Sequence, residues 1–178
     1  RRAAARSPGR DAVTAADLRS RIRDVPDFPE PGVMFRDITP LLRDAAALRL
    51  ACHLLADPFR QQKVDLVVGI ESRGFIFGAP VALALGAGFT LARKQGKLPG
   101  RTHSTSYALE YGEAEIEMQS DAVAPGQRVL LVDDVIATGG TAAATVRLVR
   151  QLGGVVVGSA FLIELAFLDG RKALEGLR

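Results

Sequence analysis

Residues 129–149 read VLLVDDVIATGGTAAATVRLV, and the order of chemistry in them decides how the chain folds. Val129–Val132 is an apolar run of the kind that fills a buried strand. Asp133 and Asp134 follow side by side, although two adjacent anions repel. Ala137, Thr138, Gly139, Gly140 and Thr141 come next, and an alanine-rich segment with helical spacing begins near Thr141. Glycines let the backbone turn tightly and approach a ligand closely. Amides at the start of the helix then face outward, where the helix dipole also favours an anion. Thr138 and Thr141 add hydroxyl donors, so the loop is a cradle for a phosphate. Paired carboxylates would repel a bare phosphate, but they accept strongly from hydroxyl groups. The combination reads as a site for a 5-phosphorylated ribose, with its phosphate on residues 137–141 and its diol on Asp133 and Asp134.

Other glycine-rich readings fit less well. A Walker A loop needs a lysine after its second glycine, where Thr141 stands. GIESRG, residues 69–74, is not the dinucleotide fingerprint G-x-G-x-x-G. TGGT alone would suit an ordinary turn whose acids cap the next helix. An apolar strand and two acids behind it, with a helix in front, favour a ligand loop.

The same grammar recurs upstream. VVGI at 67–70 runs into ESRG, and FTLA at 89–92 runs into Arg93 and Lys94. FIFGAPVALALG (75–86) reads as the intervening helix, TAAATVRLVRQLG (141–153) as a helix stopped by Gly153, and GVVVGSAFLIEL (154–165) as a last strand. Strands alternating with helices predict an α/β fold with a mainly parallel, Rossmann-like sheet flanked by helices. Ligands of such sheets bind beyond the carboxyl ends of the strands, which is where all three polar loops fall.

Nearer the start, TAADLRSRIRDV (14–25) predicts a helix capped by Thr14, with Leu18, Ile22 and Val25 on one stripe. PDFPEPGVMFRDITP (26–40) reads as an irregular, proline-bounded segment. Asp44 is placed to cap a helix over AAALRLACHLLADPF (45–59), with Leu48, Cys52 and Leu55 on one face. Residues 95–119 break the pattern: a polar, glycine-bearing middle, then Ala114, Ile116 and Met118 alternating with Glu115 and Glu117. That predicts a hairpin arm or lid.

The 178 residues favour one domain with a real core, and 48% hydrophobic against 24% charged residues excludes disorder. No apolar run approaches a membrane span, so no membrane role is expected. A single cysteine, Cys52, leaves no internal disulfide and fits a reducing, cytoplasmic setting. Net charge is +3, but Arg1, Arg2, Arg6 and Arg10 sit in the first ten residues. The basicity belongs to that stretch and forms no evident face, so no nucleic-acid partner is expected. Residues 1–13 read as a flexible Arg-rich tail rather than a transit peptide. No His/Cys/Asp/Glu spacing suggests a protein metal cage; His53 and His103 read as structural or solvated.

Taken in order, DFPEPGVMFRDITPLL (27–42), VVGIESRGFIFG (67–78), RKQGKLPG (93–100), YALEYGEAEIEMQ (107–119) and PGQRVLLVDDVIATGGT (125–141) resemble the type I phosphoribosyltransferases. More narrowly they resemble the branch of that family that uses adenine, over most of the chain from about residue 14. HSTS, at 103–106, and the Arg-rich start match no family pattern.

The resemblance implies one phosphoribosyltransferase domain over 14–178, with a small N-terminal hood at about 26–40 and a mobile lid arm at about 95–119. It implies a purine-salvage reaction in which adenine and phosphoribosyl pyrophosphate (PRPP) give AMP and pyrophosphate. Mg²⁺ is the implied cofactor, carried on PRPP oxygens and water, and the implied assembly is a homodimer. Ser72, Arg73, Arg93, Lys94 and Lys97 would hold pyrophosphate, with the Glu71–Gly74 loop bent so that its amides face the ligand. Val33, Met34, Phe35 and Arg36 would bind adenine: Phe35 stacking on the ring, the backbone near Met34 reading its edge, Arg36 closing the pocket. Packing in the core is the alternative for Phe35. Glu110 and Tyr111 in the lid, with Arg73, would be catalytic, Glu110 handling the proton released by the adenine ring. The rival readings are transfer to xanthine, guanine or orotate, and a purine-responsive regulator that keeps the PRPP site without catalysis.

Overall fold

The computed structural model describes residues 14–108 and 113–176. The chain divides into two compact units, Arg1–Ala51 and Cys52–Arg178.

The first unit opens with α1 (Ala15–Ser20), capped reciprocally: Thr14 Oγ1 accepts from the Asp17 amide and the Asp17 carboxylate accepts from the Thr14 amide. The helix expected over 14–25 therefore stops early. Arg23–Val25 forms β1, which pairs antiparallel with β2 (Phe35–Asp37), so that Asp24 stands opposite Arg36 and Val25 opposite Phe35. Pairing with a distant strand overrides the local helical spacing, and Ile22 and Val25 leave the stripe of Leu18. The segment read as irregular thus contains a strand and the start of α2 (Thr39–Arg43). Asp44 caps α3 (Ala45–Ala56) as expected, its Oδ1 accepting from the amides of Ala46 and Ala47 at 2.9 and 3.1 Å. The helix ends at Ala56, and Asp57–Phe59 is a 3₁₀ turn with Pro58 near its start.

The second unit is built on β3 (Leu66–Ile70), α4 (Gly74–Leu85), β4 (Gly88–Lys94), β5 (Thr102–Ala108), β6 (Glu113–Gln119), β7 (Arg128–Ile136), α5 (Gly140–Gln151) and β8 (Val155–Glu164). The six strands lie in the order β5-β6-β4-β3-β7-β8. β4, β3, β7 and β8 are mutually parallel, and β6 and β5 continue the sheet antiparallel as a hairpin. The parallel α/β sheet and the hairpin arm are both as expected.

Central parallel strands are covered on both faces, so they read as continuous apolar runs. All five residues of β3 are buried, and Val67, Val68, Ile70, Leu130 and Leu131 are fully so. Each such side chain contributes roughly 1.5–3 kcal/mol over exposure to water. One face of the sheet gathers Val68, Ile70, Ile116, Met118, Val129 and Leu131 with Val146, Leu148 and Val149 of α5. β3 and α4 pack closely because a glycine on each makes room for one ring of β4: a Cβ on Gly69 or Gly78 would meet Phe89 at 2.8 or 2.7 Å.

Candidate active site

Because β3, β4 and β7 are parallel, their carboxyl ends open on one edge of the sheet. Three loops leave there: residues 71–73 before α4, residues 95–98 after Lys94, and residues 137–139 before α5. The candidate residues of the second unit outside the lid tip are thereby brought to one edge.

Both adjacent acids lie inside β7. β7 runs on to Ile136, because β8 continues to pair beyond the point where β3 stops: Val132 is the last residue on β3, while Asp133 stands opposite Phe161. Asp134 is buried, and its Oδ2 lies 2.7 Å from Nε of Arg73. Asp133 is half-buried and its Oδ1 accepts from the Asp134 amide at 2.8 Å. Burial and the neighbouring Asp134 push the Asp133 carboxyl up to about 8. Burial also raises Asp134, against the opposing pull of Arg73. Burial and mutual repulsion favour the protonated forms of the pair, while Arg73 favours the charged form of Asp134.

Gly74 explains how the Arg73 loop comes so near. A Cβ there would meet the Val132 carbonyl at 2.7 Å and Asp133 Oδ1 at 2.9 Å. Glu71 follows Ile70, and the Glu71–Ser72 peptide is cis. Ser72 is exposed.

The basic pair ends β4 as expected, but Arg93 and Lys97 rest on a carboxylate. Glu71 accepts from Arg93 Nε at 3.1 Å, Lys97 Nζ at 2.7 Å and the Lys94 amide at 2.9 Å. Burial pushes Glu71 upward, yet Lys97, the Lys94 amide and Arg93 together hold it below its ordinary value. The ammonium of Lys94 makes no ion pair among the described residues, and its residue is exposed.

At the start of α5, Gly139 is the cap, with φ of +81°, a left-handed conformation suited to glycine. Its carbonyl accepts from the Ala143 amide at 2.9 Å, leaving the first-turn amides facing outward. Thr138 is exposed; Ala137, Gly140 and Thr141 are half-buried. The 3₁₀ segment Gly170–Leu174 backs this loop: a Cβ on Gly139 would collide with the Gly170 carbonyl, and one on Gly170 with the Ala137 carbonyl. Sequence reading missed Gly170, because nothing in DGRK announces a contact with residues 137–139. It also missed Glu71 and Glu117. Glu117 looked like the wet face of an alternating strand, yet it is 4% exposed and accepts from the amides of Lys97 and Leu98, each at 3.0 Å.

The adenine candidates belong to the first unit. The Val33 amide donates to the Glu30 carbonyl and the Val33 carbonyl accepts from Phe28, both at 3.2 Å. Val33 and Met34 are exposed, and the half-buried Phe35 ring meets Phe28 edge-on with centroids 5.1 Å apart. Arg36 forms an ion pair with Asp24 across β1 and β2. Glu110 and Tyr111 lie outside the described residues, as does the 1–13 tail.

Cations, paired carboxylates and a glycine turn at a helix start gather where three parallel strands end, and the phosphoribosyl transferase domain family matches the chain over residues 38–174. The chain belongs to that family. Within it, the chain is 60% identical over 153 residues to the adenine phosphoribosyltransferase of Thermobifida fusca (strain YX), covering 86% of this chain and 87% of that protein. The crystal structure of adenine phosphoribosyltransferase from Rhodothermus marinus DSM 4252 matches with a TM-score of 0.88 at 59% identity, over 91% of this chain and 92% of that one. The Saccharomyces cerevisiae adenine phosphoribosyltransferase, solved with adenine and an imino-altritol bisphosphate, matches with a TM-score of 0.85 at 42% identity, over 92% and 95%.

Proposed function

We infer that this chain is a pentosyltransferase that joins adenine to PRPP, releasing pyrophosphate and forming AMP. The carrying observation is the single sheet edge at which Arg73, Arg93 and Lys97, the Asp133–Asp134 pair and the Gly139–Thr141 turn all emerge. High identity to adenine phosphoribosyltransferases supports adenine as the acceptor.

The chemistry is charge stabilisation and positioning. As the bond from C1 of the sugar to pyrophosphate stretches, positive charge grows on the ring and negative charge on the leaving group. Arg73, Arg93, Lys94 and Lys97, with Ser72, receive the leaving group; arginine offers fork geometry and lysine a point charge. Asp133 and Asp134 accept from the ribose hydroxyls, which relieves their mutual repulsion and turns them toward the developing cation. Residues Ala137–Thr141 fix the 5-phosphate, so that the sugar cannot drift as the bond breaks. Val33–Arg36 hold adenine, and Glu110 takes the proton that adenine loses, while Tyr111 helps the lid shut out water.

The hard oxygen donors of PRPP and water suit Mg²⁺, which when bound would neutralise diphosphate charge. The same reading takes 14–178 as one functional domain working as a cytoplasmic homodimer. No helix among the described residues is long and apolar enough to cross a membrane.

The test is direct. Purified protein with PRPP, Mg²⁺ and adenine should yield AMP and pyrophosphate in equal amounts by chromatography. PRPP left intact would refute the reading.

A further inference from the structure

The basic loop after β4 is tied down by two buried acids. Glu71, with a side chain 6% exposed, spans three partners: Arg93 Nε, Lys97 Nζ and the Lys94 amide. From the other side, Glu117 takes the amides of Lys97 and Leu98. Arg93 Nη1 closes the turn by donating to the Lys97 carbonyl at 3.0 Å, and its guanidinium lies 5.8 Å from the centroid of the Phe75 ring.

An exposed ion pair would mean little here, since such pairs contribute little. This one differs in geometry. Glu71 grips arginine by Nε and lysine by one of its three hydrogens. Arg93 Nη2 has no hydrogen bond among the described residues, and the Lys97 ammonium has spare donors. Three cations, Arg93, Lys94 and Lys97, outnumber Glu71 and Glu117, so the loop keeps a positive balance for an anion. The carboxylate also links the loop after β3 to the loop after β4, so that Arg73 and Arg93 are set on one frame.

We propose that Glu71 is a positioning residue for the pyrophosphate group: a buried carboxylate that holds Arg93 and Lys97 by their inner donors and aims their outer donors at the leaving group. This rests on the functional reading above, and it adds a residue which that reading leaves without a role. Free cations would have to be ordered by the ligand itself, and the affinity would fall by the entropy of fixing two long side chains.

The experiment uses the full chain and two probes. Inorganic pyrophosphate with Mg²⁺ reports on the Arg93–Lys97 loop; ribose 5-phosphate reports on residues 137–141. Calorimetry on Glu71→Gln should show pyrophosphate affinity reduced on the order of tenfold, with KM for PRPP raised alike. Ribose 5-phosphate affinity and KM for adenine should stay within about twofold of the unmodified chain. Unchanged pyrophosphate affinity overturns the proposal, and so does equal weakening of both probes, which would mean general loosening. If Glu71→Gln does not fold, Glu71→Asp keeps the charge but shortens the arm; it should show a smaller, still selective loss, and wild-type affinity in that variant overturns the idea. An unmodified chain that binds ribose 5-phosphate but no pyrophosphate would sink the transferase reading and this proposal together. AMP formation by the unmodified chain with no selective loss in the variant sinks this proposal alone.

Discussion

Arg73 and Asp134 hold each other 2.7 Å apart across the mouth of the site, one from the loop after β3 and one from β7. Each is assigned to a different part of PRPP, the arginine to pyrophosphate and the aspartate to ribose. They are therefore coupled before any ligand arrives, and disturbing either must be felt by the other.

Asp134→Asn should weaken PRPP use by roughly ten- to a hundredfold, since charge-assisted hydrogen bonds are worth about 1.5–3 kcal/mol. Arg73→Gln should also be costly. Because the two side chains touch, the double variant should fall short of the summed losses by about 0.5–3 kcal/mol in kcat/KM. Additive losses would show that the pair is incidental.

Stability should depend on pH through Asp133, whose carboxyl is moved from 3.8 to about 8. Between those values the folded chain keeps a proton that the unfolded chain has released. Stability therefore falls as pH rises through that window and levels above it. Asp133→Asn removes the effect, so the melting temperature of the variant should gain on the unmodified chain from about pH 4 to pH 8. Each 1 kcal/mol moves the midpoint of a chain this size by roughly 2–4 °C, so the gain should be plain in the melting curves. Parallel melting curves across that range would contradict the assignment. The same substitution should weaken PRPP use, so stability and function move in opposite directions.

The proposed phosphate loop should tolerate no side chain on Gly139, nor on Gly170 behind it. Gly139→Ala meets both a positive φ and the Gly170 carbonyl, and Gly170→Ala meets the Ala137 carbonyl. Both should weaken ribose 5-phosphate binding. Gly126→Ala, at φ of +79° but with open space around it, is the control for backbone strain alone, about 1–2 kcal/mol. Binding unchanged in both loop variants would mean that residues 137–141 are not the phosphate cradle.

Much of this arrangement is legible in the residues. β3 and β7 are written as apolar runs because both faces of a central parallel strand are covered, and the polar loops follow them in the order that sets the site. What escapes is what depends on distant partners. β1 is hidden because Arg23–Val25 continues a helical spacing, and only pairing with Phe35–Asp37 makes it a strand. That β7 pairs past both acids to Ile136 depends on residues 161–164 of β8, which lie far along the chain. Glu117 has the periodicity of a solvent face, and its burial follows from folding the loop at 97–98 over it. Gly170 is an ordinary turn glycine until its Cβ is asked to share space with Ala137.

The central claim is that the base accepted is adenine, and the most direct measurement is kcat/KM with PRPP and Mg²⁺ for adenine, hypoxanthine and guanine side by side. Adenine presents an acceptor at N1 and a donor at N6, which a backbone N–H and C=O near Met34 would match. Hypoxanthine reverses both, and unpaired main-chain groups in a closed site are expensive and cannot rotate to adapt. A site that hydrogen-bonds its substrate rejects such an analogue by about 10⁴-fold or more. The account predicts that margin for adenine over both 6-oxopurines, retained when Met34 is changed to leucine. Conversion of hypoxanthine or guanine at rates near that for adenine would contradict it.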